Sequence, residues 1–147
     1  MVPVIEFKDP DMSNEAVYKA LEMVEEKGLL GKAVYISFYV RVLQQVNAQA
    51  GARLKAAGIN KKPVTYYLIS EDGANKVNLA ASNKFTGVSL SKNIINSSLY
   101  SQAKSRGLGV GTWTYKNQLS DDEKLFEHMF MNGWKLDFVT VDYHIFK

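Results

Sequence analysis

The stretch VTYYLIS, residues 64–70, carries no charge and is apolar or aromatic at nearly every position. A strand with one wet face alternates apolar with polar residues, whereas a near-continuous apolar run belongs to a strand covered on both faces. Such strands occur in parallel sheets flanked by helices. Five further strand-like runs accompany it, at residues 2–8, 33–38, 85–91, 109–115 and 137–143, and helical patterns lie between most of them.

Ser13 is placed to cap a helix whose stripe is Ala16, Val17, Ala20, Leu21 and Val24, with Gly28 ending it. A longer helix is expected from about Tyr39 to Ala57, stopping at Gly58, and a shorter one over 94–106, closed by Gly107. In SDDEKLFEHMFMNG, Ser120 and Glu123 are spaced as a capping box, two acids sit between them, and Gly133 follows the end. Leu125, Phe126, Met129 and Phe130 supply the buried stripe expected of that helix. Residues 71–84 read as a loop with a short helix, and Asp72-Gly73 marks a turn at its start.

Strand following helix following strand implies right-handed crossovers in an open α/β sheet or a (β/α) barrel. The repeat recurs at roughly 25 residues, the size of one unit in a ~250-residue, eight-unit barrel. Six units fit into 147 residues. The expected fold is therefore α/β, a partial TIM-type (β/α) barrel of about six parallel strands with covering helices, in one domain spanning 1–147. GLGVG at 107–111 is not a dinucleotide fingerprint, because its first glycine ends a helix and the rest enters a strand, the reverse of the required order.

Apolar residues make up 46% and charged residues 22% of the chain, as in ordinary globular proteins. There is no cysteine, so thiolate chemistry and disulfides are excluded. Net charge is +3 and Lys61-Lys62 is the only adjacent basic pair, too little for a nucleic-acid footprint. No run is long enough to span a membrane and none reads as a signal peptide, so the expectation is a soluble chain of unassigned compartment.

Period-2 alternation puts Glu6 and Lys8 on one face of the first strand. They are either a solvated ion pair or part of a site.

Four segments, in order, resemble the later part of the glycerophosphodiester phosphodiesterase family. VIEFK is similar to its third-strand Glu-x-Lys motif, and AVYISFY to its fourth strand, where a Ser-Phe pair ends the strand. SLYSQAKSRGLGVGTWTY resembles the seventh-strand signature ending in Trp-Thr, and MNGWKLDFVTVDY the eighth-strand ending. The resemblance implies a hydrolase of lipid metabolism, with metal-assisted cleavage of glycerophosphodiesters to glycerol 3-phosphate and an alcohol. It implies that Glu6 is a ligand of a divalent cation, calcium or magnesium. By the same resemblance, Lys8 contacts a phosphate oxygen and Trp113 walls the substrate pocket. Asp142 matches an acidic position at the final strand end, which a capping or loop role explains equally well. Glu6 and Lys8 also read as a plain ion pair, and Trp113 as core packing.

The family's His-Arg-Gly strand and its Glu-x-Asp strand with a following histidine are absent from these residues. His128 and His144 are the only histidines and lack that context, reading as surface or satisfied side chains. With Glu6 as its single carboxylate ligand, the cation is expected to bind weakly. The chain alone is therefore expected to have little or no hydrolytic activity. The alternative is a non-catalytic partial barrel that self-associates or binds phosphorylated ligands. In either case a homo-oligomer or a complementing chain is expected to cover the open strand edges. A sphingomyelinase-D-like enzyme on the same barrel would need the same absent histidines and acids.

Overall fold

A computed structural model describes residues 2–142, in two compact units. Residues 2–67 with 83–86 form the first, and residues 68–82 with 87–142 the second.

The first unit opens with β1 (Val4–Glu6), followed by α1 (Asn14–Glu26), β2 (Val34–Ser37), α2 (Val40–Ala56) and most of β3 (Val64–Ile69). β1 pairs with β2 and β2 with β3, both in parallel. Ser13 caps α1, its hydroxyl accepting from the Ala16 N–H at 3.1 Å. Gly28 and Gly58 terminate α1 and α2 at φ of 68° and 71°, in the left-handed region that glycine enters without a Cβ penalty. Val17 and Leu21 of α1, Val42, Val46 and Ala50 of α2, and Phe7 and Tyr35 pack into one buried cluster. β3 is buried along almost its whole length, as its uninterrupted apolar pattern requires.

The second unit takes the end of β3 and adds α3 (Gly73–Ser82), β4 (Gly87–Ser91), α4 (Ser97–Ser105), β5 (Gly109–Tyr115), α5 (Leu119–Phe126) and β6 (Phe138–Val141). β4, β5 and β6 are parallel neighbours in sequence order. The stretch read as a loop with a short helix is mostly helix, and Asp72 before it adopts a φ of 52°. α4 packs on α3, and Gln102 donates from its amide to the Ala74 carbonyl at 2.8 Å and to Asn78 Oδ1 at 3.1 Å. All six expected strands are present. The first is shorter than the run 2–8, so Lys8 lies just beyond β1.

Two expectations about α5 are corrected. The Ser120–Glu123 capping box does not form, because the helix starts at Leu119 with Gln118 as its N-cap. The backbone N–H groups of Asp121 and Asp122 both donate to the Gln118 carbonyl, which places Ser120 inside the first turn. The buried stripe is also different. Leu125 is buried, but Phe126, Met129 and Phe130 are exposed, while Asp121 and His128 are buried. Asp121, Leu125 and His128 stand at i, i+4 and i+7, so one helix face is occupied by a polar set with specific partners. Beyond Phe126 the helix widens into a π-turn over Glu127–Met131.

Candidate functional site

Enzymes built on (β/α) barrels place their chemistry at the C-terminal ends of the strands. In the first unit that position on β1 belongs to Glu6. The Lys8 ammonium lies 3.7 Å from Glu6 Oε2, and the buried Phe7 between them anchors the segment. The Ser37 hydroxyl, at the end of β2, donates to the Phe7 carbonyl at 2.7 Å and accepts from the Tyr39 N–H at 3.1 Å. Ser37 of the Ser-Phe pair thus fixes the chain just after Glu6. Lys8 is largely exposed, so the pair adds only about 0–1 kcal/mol to stability.

In the second unit, Trp113 is half-buried in β5, and its indole N–H donates to the Ser89 carbonyl of β4 at 2.9 Å. The pairing of β5 with β6 is irregular between Thr112 and Tyr115. Strict alternation would send side chains three apart to opposite faces, yet the Thr112 and Tyr115 hydroxyls meet at 3.2 Å. Thr112 and Tyr115 are fully buried, whereas Trp113 and Thr114 between them are only partly so.

Tyr115 carries this network on to α5. Its hydroxyl is 2.6 Å from Nδ1 of the buried His128. Donation from Thr112 to Tyr115 and from Tyr115 to Nδ1 satisfies all three groups. Burial pushes the Tyr115 hydroxyl up to about 12, countered by the Thr112 bond and reinforced by the Asp121 charge. Burial likewise lowers the His128 imidazole below its ordinary range, with Glu127 opposing and Lys124 adding to the shift. His128 is thus a buried, hydrogen-bonded histidine. His144 lies outside the described residues.

A second polar contact fastens the same helix two turns earlier. Asp121 is buried and accepts from the Lys92 ammonium and from the Lys116 N–H at 2.6 Å. These two bonds, Lys92 first, hold its carboxyl at about 2 despite burial. Lys92 directly follows β4 and its N–H donates to the Trp113 carbonyl at 2.6 Å. Asp142, after β6, donates its backbone N–H to the Tyr115 carbonyl at 3.1 Å.

The structure therefore brings Glu6 and Lys8 together and holds Trp113 by its indole N–H. It adds Lys92, Tyr115 and Asp121, which sequence reading did not single out, and shows His128 as the satisfied histidine expected. The i, i+4, i+7 spacing of Asp121, Leu125 and His128 was the available signal, masked by the stronger apolar pattern beside it.

Among the described residues no group of three or more His, Cys, Asp or Glu side chains could hold a metal ion. A hard cation takes several oxygen ligands, whereas Glu6 offers one carboxylate with an ammonium at its side. The described residues alone do not fit such an ion. No helix among them is long and apolar enough to cross a membrane.

No family model matches the sequence, and no curated protein matches it. Solved structures do match. A protein from Galdieria sulphuraria assigned as a glycerophosphodiester phosphodiesterase aligns with a TM-score of 0.72 at 17% identity, over 97% of this chain and 54% of its own. One from Silicibacter pomeroyi, assigned as a glycerophosphoryl diester phosphodiesterase, gives 0.70 at 20% identity, over 97% and 47%. A glycerophosphodiester phosphodiesterase from Parabacteroides distasonis gives 0.63 at 24% identity, over 95% and 52%. The chain thus spans about half the length of these relatives in fold. The likeness shows the fold, α/β and in part a TIM-type barrel, and it falls on the proteins that the four sequence segments resemble.

Proposed function

We propose that the chain is the later part of a glycerophosphodiester phosphodiesterase-type barrel, the third to eighth strands. The reaction of the whole protein would be hydrolysis of a glycerophosphodiester to glycerol 3-phosphate and an alcohol. The observation that carries this reading is the fold likeness over almost the whole chain to several such proteins, with four motif-like segments in matching order. In this reading Glu6 supplies one ligand to a divalent cation, calcium or magnesium, whose remaining ligands and whose acid–base histidines come from strands outside these residues. Lys8 offers its ammonium to a phosphate oxygen, as a compact charge on a flexible stem does. Trp113, held by Ser89, gives the glycerol or alcohol moiety an apolar wall.

The test is release of glycerol 3-phosphate from glycerophosphocholine, with and without calcium or magnesium. The parent chain and Glu6→Ala are each assayed alone and mixed with a polypeptide bearing His-Arg-Gly and Glu-x-Asp strands. The expected result is negligible turnover alone and metal-dependent turnover in the mixture, lost in Glu6→Ala. Turnover indifferent to Glu6, or none in a mixture shown to assemble, would overturn the reading.

The second reading is a non-catalytic module that binds phosphorylated ligands or self-associates through its strand edges. It is favoured by the Lys8 ammonium beside Glu6, which offsets the one carboxylate that a cation would need.

A further inference from the structure

Helix α5 is built the wrong way round for a lone surface helix. Its inward face carries Asp121, Leu125 and His128, and its outward face carries Leu119, Phe126 and Phe130 at i, i+7 and i+11. Those three are 74%, 57% and 64% exposed, and Met131 beside them is 68% exposed. The Phe126 and Phe130 rings lean on each other at 5.4 Å, forming a single ridge. Scattered exposed apolar side chains are normal, but two aromatic rings in contact, with exposed Met131 next to them in sequence and exposed Leu119 two turns earlier, mark a contact surface. Asp122, Glu123 and Glu127 are exposed on the same helix and its π-turn and rim the ridge with negative charge.

Charge decides what covers it. Of the four acids in residues 119–131, Asp121 is buried and paired with Lys92, which leaves Asp122, Glu123 and Glu127 against Lys124, net −2, in a chain of net +3. An anionic lipid surface would be repelled by the rim. Another copy of the chain would be attracted, and the first unit offers a receptor. A groove of about 1050 Å³ runs along α1 and α2, with Tyr18, Ala48, Ala52 and Ala56 among its lining residues. Arg41 also lines it. Its guanidinium donates to the Pro10 and Met12 carbonyls at 2.6 and 3.2 Å, and no carboxylate among the described residues forms an ion pair with it. The other charges there are matched locally, Glu25 by Arg53 and Glu15 by Lys19.

We propose that the Phe126–Phe130 ridge of one copy docks in the α1–α2 groove of a second copy, with Arg41 facing the acidic rim. Ridge and groove are different surfaces, so the contact is head-to-tail and continues into a ring or a short chain of copies. The proposal is independent of the phosphodiesterase reading, because its test reads mass rather than hydrolysis, and the ridge and groove substitutions separate it from strand-edge pairing.

The test is light scattering on the eluting protein over a range of concentrations, at low and at high salt. It compares the parent with Phe126→Ser/Phe130→Ser and, separately, Ala52→Glu. All three positions lie on the surface, and circular dichroism matching the parent identifies folded variants; Phe130→Lys and Ala48→Glu replace any that fails. The parent is expected to exceed one copy as concentration rises, less so at high salt. Each variant should need at least ~tenfold more protein to associate, as loss of an aromatic anchor does. An equal mixture of the two variants should form a species of two chains, since each keeps one intact half of the contact. A parent that stays a monomer to its solubility limit overturns the proposal. So do association unchanged by either substitution, ridge-dependent binding to phosphatidylcholine vesicles by a monomeric parent, and a variant mixture that does not pair.

Discussion

Thr112 and Tyr115 lie three residues apart in one strand, yet their hydroxyls meet at 3.2 Å on a buried face. The irregular pairing of β5 between them makes this possible, and it hands the Tyr115 hydroxyl to His128 at 2.6 Å. Tyr115→Phe keeps the ring and removes the link, leaving a buried imidazole nitrogen without its partner. The expected cost is about 1–3 kcal/mol in urea unfolding. Thr112→Val removes one hydroxyl and leaves the Tyr115–His128 bond, so its cost should be smaller. If the two substitutions cost the same, Tyr115 is not the centre of the network.

The His128 imidazole is held below its ordinary value of 6.5, chiefly by burial. The released form takes a proton more readily than the folded form, so this contribution is fully present above pH 6.5. It is lost as pH falls from 6.5 through the lowered folded value. Charged and titrating groups near the ring are Tyr115 from β5, Lys124 and Glu127 on its own helix, and Asp121 two turns earlier toward Tyr115. The Trp134 ring, 5.3 Å away, gives an optical report. Melting temperature should fall between pH 7 and pH 5 in the parent and much less in His128→Gln, with Trp134 fluorescence following the same curve. An identical fall in both would assign the effect to other groups.

Asp121 shifts in the same direction at lower pH. Its carboxyl is held at about 2 against an ordinary 3.8, first by the Lys92 ammonium and then by the Lys116 N–H. The stabilisation is complete above pH 3.8 and disappears as pH falls through 2. Lys92→Met should lower stability at pH 7 and raise the pH at which the acid transition begins. Asp121→Asn should lower stability at pH 7, and its gap from the parent should narrow as acid protonates the parent carboxylate. Acid titrations followed by circular dichroism check both.

The six strands were legible because each is a short apolar or β-branched run bounded by turn residues, and burial on both faces left VTYYLIS without polar alternation. Helix ends were legible for local reasons. Ser13 finds the Ala16 N–H three residues on, and Gly28, Gly58, Gly107 and Gly133 all take positive φ. The orientation of α5 was not legible. Leu125, Phe126, Met129 and Phe130 look like a core stripe, but the helix turns by the partners of its polar residues. Lys92 is 29 residues from Asp121 and Tyr115 is 13 from His128, separations that no helical period reports. At the candidate site, strand alternation named the pair Glu6 and Lys8, which meet although Lys8 lies just past the end of β1. The hold of Ser89 on Trp113 depended on the β4–β5 register, which single-strand reading does not give.

Gly111 of β5 lies beneath Phe138 of β6, and a Cβ there would meet three ring carbons at 2.6 to 2.9 Å. Those distances are well inside contact, so Gly111→Ala forces the ring or the strand pair to move. The expected cost is about 1–3 kcal/mol, typical of overpacking. Phe138→Leu shortens the obstacle, and the double variant should recover part of the loss, a coupling that a double-mutant cycle measures. Gly51 supplies the opposite case within α2. A Cβ there meets only Pro63, at 3.8 and 3.9 Å, which is ordinary contact. Glycine inside a helix costs about 0.5–1 kcal/mol relative to alanine, so Gly51→Ala should stabilise by about that amount. Urea unfolding of the two alanine variants should therefore shift in opposite directions. A Gly111→Ala protein as stable as the parent would mean that Phe138 does not sit over the strand.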